Sequence, residues 1–167
     1  REGKNAESVF IAGQFVLAAR EMADVVEMLG LLDEAEAYRC RAAEMIKTVE
    51  NAGWDGQWFL RAYDDFGNPV GSKDCKEGKI FLEPQGMCVM AGIGLDNGYA
   101  RSALDSLNRY CAGEHGIALL WPGFQQYYLH LGEISSYCAG YKENASVFCH
   151  ANPWAMIAET KTGNGDQ

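Results

Sequence analysis

Between Glu7 and Leu29 the apolar positions Val9, Phe10, Phe15, Val16, Met22, Val25, Val26 and Leu29 are spread widely around a helical period. A helix apolar over most of its circumference is expected to be a buried one. Gly30 is placed to end it as the residue after the C-cap, and Asp33 with Glu36 three positions on predicts a capping box for a second helix, running to about Asn51. In that second helix Ala35, Tyr38, Ala42, Met45, Ile46 and Val49 share one side, with Glu34, Glu36, Arg39, Arg41 and Lys47 largely opposite. A buried helix joined to an amphipathic one by a short turn predicts an antiparallel helical hairpin.

Further on, the period changes. Trp54 to Tyr63 alternates aromatic and polar residues, and Asp64-Asp65-Phe66-Gly67-Asn68-Pro69 is dense in turn formers, so a short β-hairpin is expected. Ser72 to Gly78 reads as a polar loop and Lys79-Ile80-Phe81-Leu82 as a brief extended run; Pro84 is expected as the first residue of a helix through Met90 to about Gly94. Asp96 is expected to cap a helix to about Ala112, with Ala100, Ala103, Leu104, Leu107 and Cys111 on one side and Gly113 closing it. From His115 to Tyr141 little periodicity is left, and so long a loop inside a compact domain tends to be functional. Asn152 as N-cap and Pro153 as first helical residue then predict a last, buried helix through Trp154-Ala155-Met156-Ile157-Ala158. The fold class is mainly α with recurring helix pairs, which suits an α/α toroid carrying a short β-hairpin insertion and a long site-bearing loop.

Charge narrows the function classes. Lys and Arg number 14 against 23 Asp and Glu, for a formal net charge of −9. That balance disfavours nucleic acid and anionic membranes as partners, and makes any phosphate site a local positive spot. No apolar run approaches the ~20 residues of a membrane helix, and no leader pattern is present, so a soluble, cytoplasmic protein is expected. The six cysteines, Cys40, Cys75, Cys88, Cys111, Cys138 and Cys149, form no C-x-x-C pair and are expected to be reduced, core-filling thiols. Asn144-Ala145-Ser146 matches a glycosylation sequon, inert in a cytosolic protein. A start on Arg1-Glu2-Gly3-Lys4 without Met and an end on a turn-like Thr162-Gly163-Asn164-Gly165-Asp166-Gln167 suggest an excerpt of a longer protein.

The stretch Tyr137 to Trp154 gathers a cation, a carboxylate, an amide, two tyrosines, a tryptophan and a histidine with no period that would put the charges on one wet face. His150 precedes a helix start, where uncapped N–H groups and the helix dipole favour an anion, phosphate included. Its plainer reading is a satisfied core histidine, and a metal site is not expected, because no further His or Cys falls at ligand spacing. Lys142 and Glu143 fit either a polar ligand or an ordinary solvated pair, and Tyr137 either a ligand or packing.

Gly140-Tyr141-Lys142-Glu143-Asn144-Ala145-Ser146-Val147-Phe148-Cys149-His150-Ala151-Asn152-Pro153-Trp154 resembles the signature of the cellobiose and chitobiose phosphorylases, glycoside hydrolase family 94. Supporting likeness runs through Glu7-Ser8-Val9, Trp54-Asp55-Gly56-Gln57-Trp58, Arg61-Ala62-Tyr63-Asp64-Asp65 and Gly78-Lys79-Ile80-Phe81-Leu82-Glu83-Pro84-Gln85. The resemblance implies an (α/α)6 barrel, of which residues 1–167 would be a part truncated at both ends. It also implies inverting phosphorolysis of a β-linked disaccharide, foremost cellobiose, to α-glucose 1-phosphate and glucose. No cofactor is implied; phosphate is the co-substrate, the disaccharide the other partner, and the full-length protein a homodimer. His150 is implied to contact phosphate, and Lys142, Glu143, Glu133 and Tyr137 the acceptor sugar. The family's general acid, an aspartate in a Trp-Asn-Asp-type motif, has no counterpart here and is expected upstream of Arg1; Asp55, Asp64 and Asp65 read as turn residues. Ala145-Ser146 departs from the family's usual small residues, often two glycines, which bears on the loop's path and the acceptor preference. Alternatives are a phosphorylase for chitobiose, laminaribiose or cellodextrins, a cyclic β-glucan synthase domain, or a non-catalytic sugar-binding helical domain.

Overall fold

The computed structural model describes residues 6–166. A two-residue strand β1 (Glu7–Ser8) leads into α1 (Val9–Met28), and α2 (Leu32–Ala52) returns along it. Strands β2 (Ala62–Tyr63) and β3 (Pro69–Val70) form the expected hairpin, and β1 adds to β2 antiparallel, giving a small sheet in the order β1-β2-β3. Strand β4 (Ile80–Phe81) runs into α3 (Leu82–Met90), and α4 (Tyr99–Cys111) follows. Strands β5 (Ala112–Gly113) and β6 (Gly116–Ile117) pair as a tight hairpin, β7 (Leu120–Trp121) pairs with β4, and a 3-10 turn (Glu133–Ser136) precedes α5 (Asn152–Lys161). Among the described residues no helix is long and apolar enough to cross a membrane.

The helices form a row. α1 packs on α2 and α3, and α3 packs also on α4 and α5. Glycines set the close approaches: a Cβ on Gly13 of α1 would stand 3.2 Å from the Cys88 backbone nitrogen of α3, and one on Gly86 would stand 3.0 Å from the Trp154 Cβ of α5. Around these contacts Val16, Phe59, Leu82, Val89, Ile93 and Leu104 are fully buried in one cluster. Gln85, also fully buried, ties the 54–60 segment to α3: its Oε1 accepts from the Phe59 N–H at 2.9 Å, and its Nε2 donates to the Phe59 and Phe81 carbonyls at 2.8 and 3.0 Å.

Several expectations are corrected. α1 is not buried all round: Val9, Gly13, Val16, Ala19, Ala23 and Val26 face its neighbours at three- and four-residue spacing, while Ile11 and Val25 are 52 % and 51 % exposed. No side-chain cap forms at α2, because the helix begins at Leu32 and so takes in Asp33, the intended cap. Asn97, not Asp96, supports the start of α4, its Oδ1 accepting from the Tyr99 N–H at 3.1 Å. α3 begins two residues before Pro84 and stops at Met90, followed by a turn with Gly92 and Gly94 at positive φ. The cysteines are all free, but Cys88 and Cys111 alone are buried; Cys40, Cys138 and Cys149 are exposed.

Candidate functional site

The first turns of three helices converge. Ser8 is the N-cap of α1, its hydroxyl accepting from the Ile11 N–H at 3.3 Å and from an Arg61 guanidinium N–H at 3.1 Å. Arg61, just before β2, lies with its Cζ 5.2 Å from the Phe10 ring centroid, and its Nε is 3.7 Å from Oε1 of Glu83, in the first turn of α3. Phe10 stacks on Trp154 of α5 at 5.6 Å, and Trp154 in turn meets the edge of His150 at 5.6 Å. His150 also meets Phe148 edge-on at 5.0 Å. It is exposed, so the core-histidine reading fails.

α5 starts without a side-chain cap, and its first-turn donors are taken up by backbone: the Asn152 N–H donates to the Phe148 carbonyl at 3.3 Å and the Trp154 N–H to the Ala151 carbonyl at 3.1 Å, while Pro153 has none. Asn152, expected as that cap, is the first helical residue and serves otherwise. Its Oδ1 accepts from the Ile117 N–H at 2.8 Å and its Nδ2 donates to the Ile117 and Phe148 carbonyls, both at 3.0 Å. The amide therefore fastens the start of α5 to β6, and the position of His150 follows from it.

A second group forms in the loop ahead of α5. Lys142 stands at φ +49° and holds its Nζ 4.6 Å from the Tyr137 ring centroid and 5.8 Å from that of Tyr141, a cation–π arrangement. Glu143 is exposed beside it, and among the described ion pairs there is none between the two. The loop hangs on Asn144, which is fully buried: Oδ1 accepts from the Phe124 N–H at 2.8 Å, and Nδ2 donates to the Phe124 and Tyr137 carbonyls at 2.9 and 2.7 Å. The Ser146 hydroxyl donates to the Lys142 carbonyl, and Ala145 is held at φ +64°. Glu133 stands apart, exposed at the start of the 3-10 turn.

The structure thus brings Tyr137 and Lys142 together, sets Glu143 beside them, and puts His150 in a separate aromatic cluster with Arg61 and Glu83. Neither Arg61 nor Glu83 was singled out from the sequence, although Glu83 is a carboxylate between Leu82 and Pro84 in an otherwise buried run. That burial pushes its carboxyl above the ordinary carboxylate range, with the Arg61 charge, the Glu83 backbone N–H and His150 pulling the other way. A cleft of about 450 Å³ is lined by Arg61, Asp64, Phe81, Phe124, His130 and Ile134 among others, and none of the five expected ligand residues lines it. Asp64 is a turn residue, accepting from the Phe66 and Asn68 N–H groups at 2.9 and 2.8 Å; Asp55 holds the Lys73 ammonium at 3.2 Å. No group of three His, Cys, Asp or Glu among the described residues is arranged to hold a metal ion.

The family described as "Glycosyl hydrolase 94 superfamily, catalytic domain" matches residues 1–167. Over 163 residues the chain is 29% identical to N,N'-diacetylchitobiose phosphorylase of Vibrio proteolyticus, covering 96% of this chain and 20% of that protein. It is 34% identical over 165 residues to 3-O-beta-D-glucopyranosyl-beta-D-glucuronide phosphorylase of Paenibacillus borealis, covering 96% and 21%. With solabiose phosphorylase of the same organism it shares 30% over 167 residues, covering 99% and 22%. The chain spans about a fifth of the length of these relatives.

Proposed function

The chain belongs to the glycosyl hydrolase 94 superfamily, and from that membership we propose that it is part of the catalytic domain of an inverting disaccharide phosphorylase, an (α/α)6 barrel completed by chain outside residues 1–167. The row of α1, α3 and α5, backed by α2 and α4, supports the barrel reading. The reaction is phosphorolysis of a β-linked disaccharide, with cellobiose as the first substrate to try. The names of these three relatives agree on phosphorylase and differ on the sugar, so the reaction is the better supported half. The setting is a cytoplasmic, homodimeric enzyme that uses phosphate and no cofactor.

The observation that carries this reading is His150, exposed beside the start of α5. Inversion of a glycosidic bond takes an acid on the leaving oxygen and a nucleophile on the opposite face of the ring. Phosphate is already a nucleophile, so the protein's task on that side is to position it, and an exposed imidazole beside the positive end of a helix dipole does so. The acid comes from an aspartate outside this chain. Tyr137, Lys142, Glu143 and Glu133 bind the leaving sugar, where a carboxylate accepts from hydroxyls and an ammonium donates to oxygen.

The test is steady-state kinetics of the full-length enzyme. His150→Ala is expected to raise the phosphate KM roughly ten- to a hundredfold, the worth of one hydrogen bond to a charged group, with the disaccharide KM little changed. Glu143→Gln is expected to do the reverse in synthesis, weakening the acceptor and sparing the sugar 1-phosphate. A panel of acceptors offered with α-glucose 1-phosphate then identifies the sugar. Unchanged phosphate KM in His150→Ala defeats the reading of the anion site.

A further inference from the structure

We propose that Arg61 is a second cation of the anion site at His150, counter-charged by Glu83, and that inorganic phosphate draws its guanidinium away from that carboxylate. This rests on the phosphate site proposed above.

The first ground is position. Arg61 over Phe10, Phe10 on Trp154 and Trp154 against His150 form an unbroken line of contacts across the first turns of α1 and α5, so the guanidinium and the imidazole are joined through two intervening rings. Glu83 faces both of them from the first turn of α3. The Arg61 side chain is 28% exposed and borders the cleft of about 450 Å³, so solvent and solutes reach it.

The second ground is how loosely the pair is made. Oε1 of Glu83 is 3.7 Å from Nε of Arg61, inside ion-pair range and beyond hydrogen-bond length. Oε2 is buried and has no hydrogen-bond partner among the described residues. A buried carboxylate with one oxygen bare and the other off a guanidinium is a poor final partner for an arginine. Phosphate offers the fork two oxygens in matching geometry, and as its charge approaches it disfavours the ionised form of Glu83, which burial already disfavours.

Charge balance supplies the third ground. Phosphate near neutral pH carries between one and two negative charges, and the chain as a whole carries −9. One imidazole and a helix start counter only part of that. Lys142 is turned onto Tyr137 and Tyr141, whereas Arg61 lies in the His150 cluster itself.

The test uses the full-length enzyme and inorganic phosphate. Arg61→Met is expected to raise the phosphate KM roughly ten- to a hundredfold while the disaccharide KM stays within about twofold. Arg61→Lys keeps the charge without the fork and should recover part of the loss. Glu83→Gln keeps the shape and removes the competing charge, so it should lower the phosphate KM, by roughly two- to fivefold. A merely structural salt bridge gives the opposite pattern: both partners' variants lose stability, and both substrates suffer alike. Equal damage to both KM values in Arg61→Met, or a phosphate KM that rises in Glu83→Gln, overturns the proposal. An unchanged phosphate KM in Arg61→Met beside a raised one in His150→Ala defeats this inference alone and leaves the His150 site standing.

Discussion

Asn144 makes three hydrogen bonds from full burial, two of them to the Phe124 peptide and one to the Tyr137 carbonyl. Truncating it leaves one N–H and two carbonyls to find other partners, so Asn144→Ala is expected to cost the full-length enzyme about 2–4 kcal/mol in equilibrium unfolding. Asn144→Asp should cost no less, because it replaces two donated bonds by a buried charge facing carbonyls. Its neighbour works the other way. Ala145 sits at φ +64°, a region unfavourable to a residue with a Cβ, and Ala145→Gly should stabilise the loop by about 1 kcal/mol. A fall in the unfolding midpoint in that variant would show that the glycine's greater freedom in the unfolded chain outweighs the strain. From the sequence, the difficulty with positive φ at Ala145-Ser146 was legible, since it follows from side-chain chemistry alone. The weight resting on Asn144 was not, because an amide's partners come from 7 and 20 residues away. Asn152 shows the same limit: a favoured cap residue at a helix start looks identical whether its amide turns to its own helix or, as here, to Ile117 35 residues back.

At the scale of elements, the helices were readable because burial repeats along them every three or four residues, and Gly30 does end α1 at φ +79°. The capping box was less so, since one residue of shift in a helix start turns a cap into an interior position, as at Asp33. The 115–141 segment was expected to lack structure. It instead holds two-residue ladders and a 3-10 turn, each too short to print a period. What carries the site is the packing of α3 between α1 and α5, and Gly86 governs the second of those contacts. An added Cβ there meets Trp154 and the Ala155 nitrogen at 3.0–3.3 Å, atoms of a helix backbone that cannot simply rotate away. Gly86→Ala gains about 1 kcal/mol of helix propensity and loses about 1–3 kcal/mol to overpacking, so a net loss is expected. Because Trp154 is the residue pushed, the variant should also raise the phosphate KM, and a variant of unchanged KM and higher melting temperature would mean that α5 yields freely.

Over the whole molecule, the exposed side of α1 is the outstanding feature: Ile11, Phe15, Met22 and Val25 lie open, and a groove of about 460 Å³ runs between α1 and α2 past Phe15 and Met45. Residues 1–167 produced alone are expected to bind a hydrophobic dye, to unfold without a sharp transition and to show no phosphorolysis. A sharp transition with measurable turnover would contradict that. The sequence marked this face as apolar but had no means of saying which part of the circumference finds a neighbour. The two candidate clusters also differ in what supports them. Arg61, Glu83 and His150 lie around helix first turns, held through Trp154, Asn152 and the glycine contacts, whereas Tyr137, Lys142 and Glu143 ride on a loop anchored by the Asn144 amide and by the Leu119 N–H, which donates to the Ser146 carbonyl at 2.9 Å. Mutations confined to residues 137–143 are therefore expected to move the helix ends less than changes at Gly86, Asn152 or Trp154 do. On the proposed assignment, a lineage could exchange the sugar it accepts by drift in a few surface residues while the anion chemistry stays under purifying selection, so that the two properties evolve at different rates within one chain.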